Sequence, residues 1–176
     1  MDFYCERTNE QIFNEPVNAI SNIFFIIVSL SLIKILRKNQ SNKIYYIQPI
    51  LIFFIGIGSF LFHLNPNIIT LYSDVIPIFL FSLSFIFFFN RDVININYLN
   101  NALLFLLFFF LFLFITPKLN YEILNGSEFY FANYFFLTMY TIWLYLKKSD
   151  FFQLLLLGFI FFNLSILLRS LDNHIC

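Results

Sequence analysis

The sequence predicts an all-α fold, a polytopic transmembrane helix bundle with six spans in a single domain over residues 1–176. Three observations carry that expectation. Apolar runs of membrane length recur along the chain, separated by short polar joints. Sixty per cent of the residues are hydrophobic and 11% are charged, a balance foreign to a water-soluble domain of this length. The basic residues gather on alternate joints, as they do when one side of a bilayer is cytoplasmic.

The spans fall at about 17–36, 44–64, 68–89, 99–115, 129–146 and 151–168. The joints after the first, third and fifth hold Lys34, Arg37, Lys38, Lys43, Arg91, Lys147 and Lys148. The other side holds Arg7, Lys118 and Arg169, so the positive-inside rule places the N-terminus on the outer, non-cytoplasmic face. Net charge is zero and no basic run is present, which argues against a nucleic-acid partner. The chain opens on acidic and polar residues rather than a basic n-region, so no cleavable signal peptide is expected. No internal repeat of fixed period is visible, nor the paired broken helices of inverted-repeat transporters.

Two regions carry polar groups out of keeping with an apolar bundle. In the second and third spans these are Ser59, His63 and Asp74. Ser59 and His63 are four apart and share a helix face. Asn65-Pro66-Asn67 is a turn signal that sends the chain back, bringing Asp74 to a similar depth on the next helix. Ionisable groups inside a bilayer are costly, so their convergence reads as a functional site. Pro77 frees the carbonyl of Ser73 beside Asp74 and favours a kink. A Ser-His-Asp triad is one reading of the three. A metal site is the other, with His63 as ligand, Asp74 handling the proton of a water and Ser59 binding an oxyanion.

The second region is the N-terminal segment, where Asp2, Glu6, Glu10 and Glu15 precede the first span. Glu15, Asn18 and Asn22 recur at helical spacing. Oxygen-rich sets of this kind suit calcium. A solvated acidic tail, with asparagines bonded between helices, fits the same pattern.

At this point the residues carry a resemblance. YCER (4–7), EPVNAISN (15–22), GIGSFLFH (56–63), SDVIPI (73–78) and RSLDNHIC (169–176) together resemble the alkaline ceramidase family. That family lies within a superfamily of seven-helix membrane hydrolases that includes the progestin and adiponectin receptors. The Ser-x₃-His…x₁₀-Asp pattern is fully met by Ser59, His63 and Asp74. The resemblance implies a zinc-dependent amidase that hydrolyses the N-acyl bond of ceramide-like lipids. It implies His63 as a zinc ligand with Ser59 and Asp74 as catalytic residues beside it. It further implies a calcium site at the N-terminal acidic segment, with Asp2, Glu6 and Glu15 as ligands, and a disulfide between Cys5 and Cys176. Tyr4 stands where eukaryotic members have Trp, and Asp2 and Asn9 are each displaced by one position.

The family pattern ends in a seventh helix bearing His-x₃-His, the source of two further zinc ligands. The sequence given ends at Cys176, where the loop toward that helix is expected, so the reading is of a chain truncated before its last helix. His174, the other histidine, falls in that loop. Rival readings are a receptor-like protein with a structural metal site, a small transporter using Asp74 and His63 as a proton relay, and a non-catalytic remnant.

Overall fold

The computed structural model describes residues 5–7, 13, 15–119 and 125–175, with side chains as far as residue 172. The described residues are helical throughout their regular structure, with no strand among them. The chain divides into two compact units, Met1–Asn95 and Ile96–Cys176.

The first unit begins with α1 (Pro16–Ser21), where Pro16 occupies a first-turn position that has no helical use for an amide hydrogen. Asn22 joins it to α2 (Ile23–Lys38), whose last turn carries Arg37 and Lys38 against the negative end of the helix dipole. A 3₁₀ turn, Lys43–Tyr46, leads into α3 (Ile47–Leu64), and α4 (Ile68–Phe89) returns antiparallel after the Asn65–Asn67 turn. The turn works as its residues predict. Asn67 accepts from the amides of Ile69 and Thr70 at 2.9 and 3.1 Å, while Thr70 Oγ1 accepts from the Asn67 amide at 2.9 Å. This reciprocal cap satisfies amides that the first turn of α4 would otherwise leave orphaned. Asn67→Ala is expected to lower stability by about 1 kcal/mol, read as a shifted unfolding midpoint in mild detergent.

α3 lies between α2 and α4, and its glycines explain how closely. Gly56 and Gly58 are two apart and so face nearly opposite ways on a helix. A methyl group on Gly56 would lie 3.0 Å from Phe25 Cβ and Ile26 Cγ1 of α2. One on Gly58 would lie 1.9 Å from the Ser73 carbonyl oxygen of α4. Helix association in lipid depends on packing and hydrogen bonds rather than on the hydrophobic effect, and small residues permit it. Two buried polar links add to it. Ser29 Oγ donates to the Pro49 carbonyl at 2.6 Å, and Gln48 Nε2 donates to Ser84 Oγ at 2.9 Å.

At the far end of α4 the chain runs through a π-helical turn, Asn90–Ile94. There Arg91 donates to Asp92 at 2.6 and 2.9 Å and to the Tyr45 hydroxyl at 3.1 Å, and it lies 5.0 Å from the Phe88 ring centre.

The second unit contains α5 (Tyr98–Phe110), α6 (Phe131–Leu146) and α7 (Phe152–Ile175). α5 runs on through a π-helical turn, Leu111–Ile115, and α6 is preceded by a 3₁₀ turn, Ser127–Tyr130. Aromatic rings hold these helices together. Phe108 of α5 lies 5.8 Å from Phe136 of α6, and Tyr134 of α6 lies 5.8 Å from Phe159 of α7. Near the end of α7, Arg169 Nε donates to the Asn125 carbonyl at 2.8 Å while Asn125 Nδ2 donates back to the Arg169 carbonyl at 2.9 Å.

Among the described residues, five helical runs are long and apolar enough to cross a membrane: Pro16–Lys38, Lys43–Leu64, Ile68–Ile94, Tyr98–Lys118 and Phe152–Asp172. The expected third span, 68–89, coincides with α4. The expected fifth span is helical: α6 follows directly on the 3₁₀ turn Ser127–Tyr130, and its Asn133, Tyr134, Tyr140 and Tyr145 make it less apolar than the five runs above. The expected sixth span ends at 168, whereas α7 continues through Arg169 to Ile175, because a charged residue limits an apolar run but arginine favours helix. Large apolar side chains such as Val17 and Leu154, each 72% exposed, face outward, as lipid rather than water requires.

Candidate active site

Glu15 is the residue around which the site is organised. It sits immediately before Pro16, 2% exposed, at the entrance to α1. Its Oε1 accepts from Arg7 Nε at 2.6 Å, and its Oε2 is hydrogen-bonded to His63 Nδ1 near the end of α3. Arg7 also donates to the His63 carbonyl at 3.3 Å. The amide of Phe13 donates to the Leu64 carbonyl at 3.1 Å, so the approach to α1 is fastened to the same end of α3. Burying a lone carboxylate is costly, and here a cation and an imidazole share the compensation.

Glu6 serves a different purpose. Its carboxylate accepts from the amides of Val17 at 2.7 Å and Asn18 at 3.1 Å. Residue 15 supplies no side-chain cap of its own, so Glu6 provides one from a distance and places negative charge at the positive end of the helix. The asparagine stripe is spent inside its own helix, since Asn22 Nδ2 donates to the Asn18 carbonyl at 2.8 Å.

His63 is 7% exposed, and its ring meets Phe62 edge-on at 5.6 Å. Glu15 holds Nδ1, which fixes the ring's orientation. Ser59 lies one turn earlier on α3 and is half-buried. Asp74 is half-buried on α4, with its Oδ1 atom in the interior. The two helices touch backbone to backbone at this level. The position of a methyl group on Gly58, next to Ser59, would be 1.9 Å from the Ser73 carbonyl oxygen and 2.9 Å from the Asp74 nitrogen.

The structure therefore brings Glu15 to His63 and sets the Ser59 and Asp74 segments against each other. Cys5 is disulfide-bonded. Asp2, Cys176 and the side chain of His174 lie outside the described residues. Two participants were not recognised in the sequence. Arg7 enters the sequence reading as a topological charge and as the end of the YCER motif, although a lone cation among four carboxylates is a signal for a counter-charge. Gly58 was quoted within a motif and given no role.

The fit of metals to these residues is direct to assess. Catalytic zinc takes three protein ligands and keeps an open position. Among the described residues, no group of three histidine, cysteine or acidic residues is placed to hold a metal. Calcium takes six to eight oxygens. Both Glu6 oxygens here accept backbone amides, and both Glu15 oxygens face nitrogen donors. The described residues by themselves complete neither site.

What they do form is a buried imidazole held by a carboxylate on α3, a helix whose Gly58 segment packs backbone to backbone on the segment of α4 that carries Asp74. No curated protein and no solved structure matches the chain. The family model described as Ceramidase matches residues 3–176, which covers every element described above. This multi-pass helical membrane protein belongs to the Ceramidase family.

Proposed function

We propose that the protein is a membrane-embedded amidase that hydrolyses the N-acyl bond of ceramide-like lipids with the help of zinc. The family match over 3–176 supports the reaction class. The observation that carries the site assignment is the buried His63, oriented by Glu15 and set one turn from Ser59.

In this reading the lipid enters from the bilayer with its amide near the end of α3, at the outer interface. Asp74 accepts a proton from water as the water oxygen adds to the amide carbon. Ser59 donates to the developing oxyanion. When the C–N bond breaks, Asp74 returns the proton to the departing amine, leaving a fatty acid and a sphingoid base. His63 would hold zinc, with further ligands from outside the described residues, and zinc would supply Lewis acidity toward the carbonyl and toward water. Calcium at Asp2, Glu6 and Glu15 belongs to the same reading, and it would compete with Arg7 for the Glu15 carboxylate.

The test is fatty-acid release from an N-acyl sphingoid lipid by the full-length protein in liposomes. Release that stops with a chelator and returns with zinc is expected. Zinc bound at one equivalent, with no hydrolysis of any N-acyl lipid tested, would point instead to a receptor-like role.

A further inference from the structure

A backbone-to-backbone contact between α3 and α4 coincides with the two expected catalytic residues. A methyl group on Gly58 would lie 1.9 Å from the Ser73 carbonyl oxygen, 2.5 Å from its carbon and 2.9 Å from the Asp74 nitrogen. All three are backbone atoms, which cannot swing aside as a flexible side chain would. Residue 58 must therefore lack a Cβ for α3 and α4 to meet as they do.

The carbonyl at the crossing is special as well. In a helix the Ser73 carbonyl would accept from the amide of residue 77, but residue 77 is proline and has no N–H. The Ser73 oxygen, released from the ladder, faces Gly58, where a Cα–H can take the place of the missing donor. The Ser73 hydroxyl is occupied elsewhere, donating to the Ile69 carbonyl at 2.9 Å. The contact thus belongs to the backbone, and it consists of a glycine on one helix and a proline-freed carbonyl on the other.

Ser59 directly follows Gly58, and Asp74 directly follows Ser73. We infer that Gly58 and Pro77 are positioning residues. Together they lock the crossing of α3 on α4 so that the Ser59 hydroxyl and the Asp74 carboxylate are held at the spacing the reaction requires. The inference rests on the amidase reading for its chemistry, but the crossing itself is a matter of geometry. A shift of 1 Å in catalytic groups costs about 100-fold in rate, and any side chain at residue 58 forces at least such a shift.

Pro77→Ala acts differently from Gly58→Ala. It adds no bulk to the crossing and returns an amide donor to the Ser73 carbonyl, drawing that oxygen back into its own helix. A purely structural proline should leave turnover intact when the helix is repaired in this way. A positioning proline should not.

The experiment has two readouts in the full-length protein. The first is kcat and KM for an N-acyl sphingoid lipid. Gly58→Ala is expected to lower kcat by about 100-fold with KM little changed, and Pro77→Ala to lower kcat without loss of thermal stability. The second is cross-linking by a short bifunctional thiol-reactive reagent, a bis-methanethiosulfonate, between Ser59→Cys and Asp74→Cys, which needs no activity. Its yield should collapse when Gly58→Ala is added. Unchanged kcat in Pro77→Ala overturns the role of that proline, including the case in which Gly58→Ala does not fold. Unchanged cross-linking in a folded Gly58→Ala variant overturns the lock. A folded wild-type protein that hydrolyses no amide, yet whose cross-link depends on Gly58, overturns the amidase reading while supporting the lock.

Discussion

Glu15→Ala is expected to destabilise the protein by about 3–5 kcal/mol, the largest effect of any single substitution considered. Glu15 is 2% exposed and its carboxylate lies between Arg7 Nε and His63 Nδ1. The Arg7 side chain is itself only 7% exposed. Removing the carboxylate leaves a guanidinium out of water with no anion, and that unpaired charge accounts for most of the cost. Glu15→Gln keeps the volume and one acceptor oxygen, so it should fall between alanine and wild type. Activity should fall with either change by about 10–100-fold, because the His63 ring loses the group that orients it. Unfolding in mixed detergent micelles, followed by tryptophan emission from Trp143, measures the stability. A Glu15→Ala protein with a wild-type midpoint would show that the carboxylate is not the hub of this end of the bundle.

His63→Ala should separate the two properties. Glu15 keeps its bond to Arg7, so no charge is stranded and the helices remain in place. The loss in stability is then that of one truncated ring packed against Phe62, about 1–3 kcal/mol. Amide hydrolysis, by contrast, should drop by more than about 10³-fold, and zinc binding should go with it. Fatty-acid release and metal content measured on the same preparation check both. Retained hydrolysis in His63→Ala would sink the assignment of His63 to the reaction. Loss of zinc without loss of hydrolysis would confine the metal to a structural role.

Set beside each other, the two substitutions show which parts of the site were legible in the sequence. Ser59, His63 and Asp74 stood out because an apolar span gives a polar residue no cheap place to be, and because the Asn65–Asn67 turn fixed their relative depth. Helix α4 matched its expected limits because Asn67 caps one end and the apolar run is unbroken to Phe89. Arg7 was not legible as a partner, since a basic residue near a span is ordinarily read for topology alone. Glu15 was legible as a ligand-type residue, but its contact with His63, 48 positions away, was not.

The sequence by itself determined the class of fold, the family pattern and the residue types available for chemistry. Those follow from hydropathy, periodicity and local turn chemistry, which act over a few residues. The tertiary structure decided which groups meet. It placed Glu15 between a cation and the catalytic-type histidine, and it spent Glu6 as a remote helix cap. It also pressed Gly58 against a carbonyl that Pro77 had released. It joined Arg169 of α7 to the Asn125 carbonyl, 44 positions away. Each of these is a contact between segments distant in the chain. Its energy depends on burial and on the partner's exact position, and neither exists until the helices have packed.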